Sequence, residues 1–351
     1  MSARTSWIAG LAALVLVLIA ARAYAPIALQ RYVNRTLDRA EGYEGRIGDV
    51  DLNLLRGAYE IENVEILKSG GKAPVPLLSS PLVDLSLEWR ALLDGALVGE
   101  IWFERPELNF VAGPPQERQS GTEADWRDVV RSLLPVRINR VTARDGSVHF
   151  RSYRTDPPVD VYLHDVQLVV RNLTNSADLS EDMVARATFT GVPMKQGRLK
   201  GDLSIDPYAD LPTFDLDCQL DGVALTNFND LFRAYAGVDV QRGSLRLFAE
   251  LTSRNGSFRG YVKPFFENVD VLAEQEVEEQ GFLASLWEGI VGGAAEVFED
   301  QLEDRVATRI PIAGTVASPD IGFWQTLGNV LRNAFVDAFV PALEHSVGEE
   351  R

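Results

Sequence analysis

The sequence is poor in the residues that form disulfides and metal sites, because its 351 residues include one cysteine and three histidines. The single cysteine, Cys218, excludes an internal disulfide. His149 and His164 have no cysteine or pair of acidic residues at metal-ligand spacing, so we expect no metal site. The sequence also lacks a P-loop and a G-x-G-x-x-G motif, the common phosphate-binding patterns. We therefore expect the chain to work without a cofactor.

Basic residues are outnumbered, with 34 Lys and Arg against 51 Asp and Glu, which gives a net charge of -17. Nucleic-acid binding needs clustered Lys and Arg to neutralise phosphates, so this balance argues against a nucleic-acid partner. Apolar residues make up 46% of the chain. That content is typical of globular proteins and supplies the core of one large or two ordinary domains.

Three Gly-Ser dipeptides raise the question of a reactive serine, at Ser147, Ser244 and Ser257. A nucleophilic serine needs a base within reach, and the lipase elbow needs G-x-S-x-G between a strand and a helix. Neither context is present. Asp145-Gly146 and Asn255-Gly256 are instead typical turn dipeptides, so we predict that the serines open strands. We expect the chain not to be an enzyme, although an enzyme with convergent carboxylates in a polar pocket stays an alternative.

An uncharged apolar run opens the chain, from Trp7 to Ala21, and continues past Arg22 to Leu29. About 20 apolar residues cross a bilayer core, so we predict an uncleaved single-pass anchor in residues 1–29. Its apolar positions include Trp7, Leu14, Leu16, Leu18 and Ile19. A cleaved signal peptide is the alternative, because Ala-Tyr-Ala at 23–25 is a small-x-small site, but Pro26 would follow the cut.

After residue 45 the apolar period changes to two, which is typical of strands with one apolar and one wet face. Alternation runs through residues 50–54, 83–89, 159–163, 166–170, 214–220 and 245–251. Antiparallel sheets tolerate such faces, so the pattern predicts a mainly β, antiparallel sheet over 30–272. About fifteen strands would extend roughly 70 Å along the stacking direction. One short helix, Phe228–Gly237, interrupts the strands.

A second pattern recurs four times, as "ENVEIL" (62–67), "HDVQLV" (164–169), "DGVALT" (221–226) and "ENVDVL" (267–272). Each copy comes at or near the end of an extended segment. The spacing between copies is irregular, which excludes a tight solenoid. We interpret the pattern as strand-turn-strand units that lie side by side.

The C-terminal segment, 273–351, has a helical apolar period. Leu283, Leu286, Trp287 and Ile290 begin one stripe, and residues 327, 331, 335 and 339 form another at i, i+4 spacing. A strand-like piece, 310–316, lies between them. We expect two amphipathic helices that pack on the sheet or cover the open end of an apolar trough.

The order of several segments resembles the AsmA-like superfamily of bacterial envelope proteins, in a branch known only as a domain of unknown function. The resemblance covers most of the chain, although no single motif in it is diagnostic. The similar segments follow the anchor and are "RIGDVDLNLLRGAYEIENVEI" (46–66), "RVTARDGSVHFRS" (140–152), "FRAYAGVDVQRGSLRLFAEL" (232–251), "GSFRGYVKPFFENVDVL" (256–272) and "GTVASPDIGFWQTLGNVLRNAFVDAFVPAL" (314–343).

The resemblance implies an inner-membrane anchor, a periplasmic body and an elongated, curled β-sheet whose apolar concave face forms a groove. In larger relatives such a groove is thought to carry phospholipid acyl chains towards the outer membrane. Membrane, phospholipids and other envelope proteins are then the expected partners, and no catalytic residue is carried over. The strand residues expected to line the groove are Leu85, Leu87, Val161, Leu163, Leu168, Leu216, Leu245 and Leu247.

Two points stay open at this level. Arg22, Arg31, Arg35 and Arg39 follow the apolar run, whereas Arg4 precedes it. The positive-inside rule therefore places the body in the cytoplasm, which disagrees with the periplasmic body that the resemblance implies. The apolar sheet face also admits an alternative, in which the strands close on their own core and the chain is a structural or adaptor protein without a groove.

Overall fold

The computed structural model describes part of the chain. The described residues are 24, 27–28, 30–36, 42–53, 58–87, 98–121, 137–173, 185–206, 209, 211, 213–236, 238–273, 306–307 and 310–315.

The described chain is mainly β, with fifteen strands in one sheet. The predicted alternating segments all lie in strands. The strands are β1 (Tyr43–Arg46), β2 (Val50–Asn53), β3 (Ala58–Lys68), β4 (Leu78–Leu87), β5 (Val98–Glu104), β6 (Glu107–Ala112), β7 (Arg137–Ser152), β8 (Val159–Arg171), β9 (Ala185–Pro193), β10 (Arg198–Ile205), β11 (Phe214–Ala224), β12 (Val238–Arg254), β13 (Ser257–Ala273), β14 (Val306–Ala307) and β15 (Ile310–Thr315).

Neighbouring strands in the sheet follow chain order, but fifteen strands fill only twelve positions. β1 and β2 both pair with β3, β5 and β6 both lie between β4 and β7, and β14 and β15 both pair with β13. At a spacing of about 4.8 Å, twelve positions extend roughly 53 Å along the stacking direction. The expected length of roughly 70 Å was therefore too long, because alternation along the chain does not show which strands share a position.

The sheet is mixed, which corrects the prediction of a purely antiparallel sheet. β7 runs parallel to β5 and β6, whereas the other pairings are antiparallel. The long connection 113–136 explains the exception, because it returns the chain to the end of the sheet where β5 begins. A parallel neighbour requires such a crossover of a dozen or more residues.

The four copies of the recurring pattern have their second residue inside a strand, and three of the four mark a β-bulge there, in place of the strand-turn-strand units that we expected. The second residue of each copy has left-handed backbone: Asn63, Asp165, Gly222 and Asn268 have φ values between 50° and 68°. The pairing registers shift at the last three of these positions. Asn, Asp and Gly are the residues that adopt this conformation most readily. A bulge bends its strand and increases its twist.

The Gly-Ser dipeptides lie in two different contexts. Asn255 and Gly256 both have positive φ and join β12 to β13, so the prediction that Ser257 opens a strand is confirmed. The prediction for Ser147 is wrong, because Asp145 forms a bulge within β7 and the strand continues through Ser147. Ser244 likewise lies inside β12.

Helices are few in the described chain. A 3-10 turn, Leu225–Phe228, leads into the helix Asn229–Ala236, as predicted. Residues 30–36 are also helical and precede β1. In the part of the chain that the structure describes, no helix is both long and apolar enough to cross a membrane. The anchor positions Trp7, Leu14, Leu16, Leu18 and Ile19 lie outside the described residues, and so do the two predicted C-terminal helices.

The C-terminal segment contributes to the sheet as well. The strand-like piece predicted at 310–316 forms β15, Ile310–Thr315. It pairs with β13 from Ser257 to Val262, at the edge of the sheet. The described part of the C-terminal segment therefore joins the sheet through β15.

Candidate functional site: the apolar face of the sheet

Strand register places the apolar residues of neighbouring strands side by side on one face. Directly paired residues in an antiparallel sheet point to the same side. Three rows of such pairs cross the sheet from β8 or β9 to β13, and they hold only apolar residues and glycine. The rows are Val170–Ala187–Leu203–Leu216–Leu251–Gly260, Leu168–Phe189–Gly201–Cys218–Ala249–Val262 and Gly191–Leu199–Leu220–Leu247–Pro264.

The rows between them are mostly polar and lie on the opposite face. Examples are the rows Val169–Thr188–Asp202–Asp217–Glu250–Tyr261 and Gln167–Thr190–Lys200–Gln219–Phe248–Lys263. The two faces of the sheet are thus chemically distinct. We call the first one the apolar face and the second one the outer face.

The bulges keep the apolar face continuous where the alternation in the sequence slips. Leu163 and Val166 are three residues apart, yet they pair with Val148 and Gly146, which are two apart. The extra residue in β8, next to left-handed Asp165, absorbs the difference. The same holds for Leu220 and Val223 in β11. Without the extra residue, every side chain beyond the slip would turn to the other face.

Parts of the apolar face are covered by clusters of buried side chains. One cluster lies on β1 to β7 and includes Val33 from the helical residues 30–36. A second lies at the end of β12 and β13 and includes Phe232 from the helix Asn229–Ala236. The third joins Ala185, Ile205, Phe214 and Leu251. These clusters are the core of the described chain.

The eight residues predicted to face lipid fall into groups that differ in how the buried clusters cover them. Leu85 is buried in the first cluster, at 9% exposure, and Leu216 and Leu245 pack against the third and second clusters. Val161, Leu163, Leu168 and Leu247 are half-buried and belong to none of the clusters in the described chain. Leu87 shares the face by its pairing with Gly99, but its side chain lies outside the described part. The apolar surface that belongs to none of these clusters is therefore centred on β8 and β12.

Cys218 lies in the middle of this face, between Gly201 on β10 and Ala249 on β12. Burial raises the pKa of its thiol to about 11. A low-dielectric surrounding disfavours the charged thiolate, which is the reactive form of cysteine. Cys218 thus acts as a small apolar side chain of the sheet.

The outer face carries a polar cluster around Arg151, which the sequence did not indicate. The Arg151 side chain is 14% exposed, and its guanidinium group contacts Glu107 at 3.1 Å and Asp160 at 3.3 Å. It also donates to the side chain of Asn109, which is fully buried. Asn109 Nδ2 in turn donates to the carbonyl of Pro76 at 3.0 Å. Arg151 and Glu107 are 44 residues apart, so only the parallel pairing of β6 and β7 brings them together.

His149 belongs to the same cluster and makes structural contacts. Its Nδ1 lies 2.8 Å from Asp160 Oδ1, and its ring stacks on Tyr162 with centroids 5.4 Å apart. The ring of His164 also lies near Tyr162, with centroids 5.9 Å apart. In the described chain no hydrogen bond joins Ser147 to His149, and no group of three or more His, Cys, Asp and Glu residues could hold a metal ion.

The apolar face is thus the largest chemically uniform feature that the described strands share. It offers dispersion contacts and no fixed charge, which suits an apolar ligand or a second apolar surface. Comparison with known proteins adds no relative, since neither a family model nor a curated protein matches the chain.

Proposed function

We propose that this chain is an inner-membrane-anchored periplasmic protein of the bacterial cell envelope. Its apolar sheet face binds or conveys phospholipid acyl chains in outer-membrane maintenance, and it acts by binding and not by catalysis. The observation that carries the proposal is the half-buried apolar surface on β8 and β12, formed by Val161, Leu163, Leu168 and Leu247. Such a surface must be covered by protein or by an apolar ligand.

A curved sheet supports this proposal. The bulges at Asp165, Gly222 and Asn268 bend their strands. The helix Asn229–Ala236 follows β11, yet it contacts both β12 and β8, which lie four positions apart in the sheet. A flat sheet would hold these strands roughly 19 Å apart. We infer that the apolar face is concave and that the helix covers one end of an elongated groove.

The membrane anchor in this proposal rests on the sequence. The run from Trp7 to Leu29 is long enough to cross a bilayer. Reporter fusions at the C-terminus test the topology: a reporter that is active only in the cytoplasm excludes the periplasmic body. A mature N-terminus at Pro26 excludes the anchor.

A scaffold with a closed core is the second candidate. Leu85 favours it, because this predicted groove residue is buried among Tyr59, Val83 and Ile101 and cannot meet a ligand without rearrangement. In that case the remaining apolar surface on β8 and β12 is covered by other parts of the chain.

Photo-crosslinking in cells distinguishes the two candidates. A photoreactive residue at Leu168 or Leu247 should capture phospholipid, because both side chains lie on the apolar face. The matched controls are Gln167 and Arg246, the exposed neighbours on the outer face. Lipid adducts at the first pair alone support the groove. Equal labelling at all four positions, or none at Leu168 and Leu247 in folded protein, supports the closed scaffold.

A charge on the apolar face provides a second test. Leu168→Arg should abolish the co-purification of phospholipid, since an unpaired charge among acyl chains is costly. Gln167→Arg adds the same charge to the exposed neighbour and should leave lipid binding intact. Circular dichroism of both variants shows whether the fold survives, and mass spectrometry of extracted lipid gives the result.

A further inference from the structure

The helix that precedes β1 exposes a face on which apolar and basic residues are ordered along its length. Tyr24, Ile27 and Tyr32 are exposed at 72%, 44% and 47%, and they are three of the four exposed large hydrophobic residues in the described chain. Arg31 and Arg35 are exposed beside them. Within the helical residues 30–36, at about 100° per residue, Arg31, Tyr32 and Arg35 fall within roughly 100° of one another, so they form one face of the helix. We call it the Arg31 face.

The opposite side of the helix is docked on the sheet. Val33 and Thr36 are buried, at 5% and 2% exposure, and Val33 packs in the cluster that includes Tyr43 and Ile47. Gln30 Nε2 donates to the carbonyl of Gly48, in the irregular segment between β1 and β2. These contacts determine the rotation of the helix about its axis. The Arg31 face therefore points away from the sheet.

The order of these exposed residues along the chain matches the depth profile of a bilayer. Tyr24 and Ile27 fall within the predicted span, which ends at Leu29. Arg31 and Arg35 follow at about 3 Å and about 9 Å beyond it, at 1.5 Å per residue. The headgroup region is about 5–7 Å thick on each side, so Arg31 lies within it. The long side chain of Arg35 tilts towards the N-terminus of the helix and extends back to the phosphates. Tyr32 has the amphipathic ring that is enriched at membrane interfaces.

We propose that the Arg31 face is a binding site for the phosphate headgroups of anionic phospholipids, with Arg31 and Arg35 as the cationic contacts. The inference rests on the proposed membrane anchor. It specifies the headgroup charge of the bound lipid, which an apolar groove for acyl chains does not distinguish. Charge complementarity carries it, because two arginines stand on an exposed apolar helix face in a chain with a net charge of -17. Arg also binds phosphate with a planar, bidentate geometry.

The test uses the full chain in mixed bilayers of phosphatidylglycerol and phosphatidylcholine. Membrane patches around the protein are extracted with a styrene–maleic acid copolymer, and their lipids are quantified by mass spectrometry. Phosphatidylglycerol should be enriched around the wild-type protein, and Arg31→Gln with Arg35→Gln should lower the enrichment roughly fivefold for each charge removed. The matched control, Arg171→Gln with Arg259→Gln, removes two exposed arginines from strands and should change nothing.

Equal enrichment in the wild type and the Arg31/Arg35 variant overturns the inference. A second result also overturns it: if Tyr32→Cys in a Cys218→Ser background forms disulfide-linked dimers in the bilayer, a second copy occupies the face. Carbonate extraction separates these outcomes from failure of the proposed function. A chain that carbonate releases from the membrane has no anchor, whereas an integrated chain without enrichment contradicts this inference alone.

Discussion

The ring of Phe189 on β9 lies directly against Gly201 on β10, in the space that a Cβ atom at position 201 would occupy. Glycine is thus required there by a close approach on the apolar face. Gly201→Ala should force the ring aside and lower the free energy of unfolding by about 1–3 kcal/mol, as overpacking typically does. Urea denaturation measures the loss.

A double variant tests this explanation. Phe189→Leu removes the part of the ring that meets the added methyl group. Gly201→Ala should therefore cost less in the Phe189→Leu background than in the wild type. Strictly additive losses would show that the cost comes from the backbone of β10 and not from the ring.

Asn63, inside β3, has φ of 50°, which predicts an unequal response to two substitutions. Asn63→Gly should leave stability nearly unchanged, because glycine adopts positive φ without steric cost. Asn63→Val should destabilise the fold by about 1–2 kcal/mol, because left-handed backbone is costly for a side chain with a Cβ, and a β-branched one fits it worst. Thermal unfolding of the two variants checks the difference. Equal melting temperatures would contradict the left-handed conformation.

Cys218 should react slowly with maleimide near neutral pH, because burial raises the pKa of its thiol to about 11. The rate should rise about tenfold per pH unit up to that pKa, since only the thiolate attacks. In urea the reaction rate of the same thiol should follow the pH dependence of an ordinary cysteine, whose pKa is about 8.5. A folded-state rate equal to that in urea would show that the sulfur is not buried.

The raised pKa also predicts how stability depends on pH. The neutral thiol is preferred in the folded protein, so its contribution is fully present below the unfolded pKa. It is lost as the pH rises through the folded pKa of about 11. Cys218→Ala should remove this part of the loss of unfolding free energy at alkaline pH. Urea titrations at several pH values measure it.

Asn109 should be the most sensitive member of the outer polar cluster, because it is fully buried and holds both Arg151 and the carbonyl of Pro76. Asn109→Leu leaves both groups without this partner and should cost about 1–3 kcal/mol of unfolding free energy. In an Arg151→Met background the cost should be smaller, since the guanidinium group is gone. Chemical denaturation of the four proteins gives the coupling, and a coupling of zero would exclude the pairing.

The sequence by itself determined that the described chain is built of strands with one apolar side. Alternation such as Phe214, Leu216, Cys218 and Leu220 is a local property, since successive side chains of a strand point to opposite faces. The helix Asn229–Ala236 and the tight turn at Asn255-Gly256 were also predictable, because each depends on a few adjacent residues. The turn expected at Asp145-Gly146 shows the limit: the same kind of dipeptide forms a bulge when the flanking segments pair with β8 and not with each other.

Only the tertiary structure decided which strands meet, where β7 turns parallel and how the apolar face stays continuous. The pairing of Leu163 with Val148 and of Val166 with Gly146 requires a bulge in β8, and one sequence read alone shows only a slip in the alternation. Arg151 meets Glu107 because the connection 113–136 returns the chain before β7 begins. Such contacts depend on the free energy of the whole sheet, in which each strand accepts the register that keeps its apolar residues beside those of its neighbours.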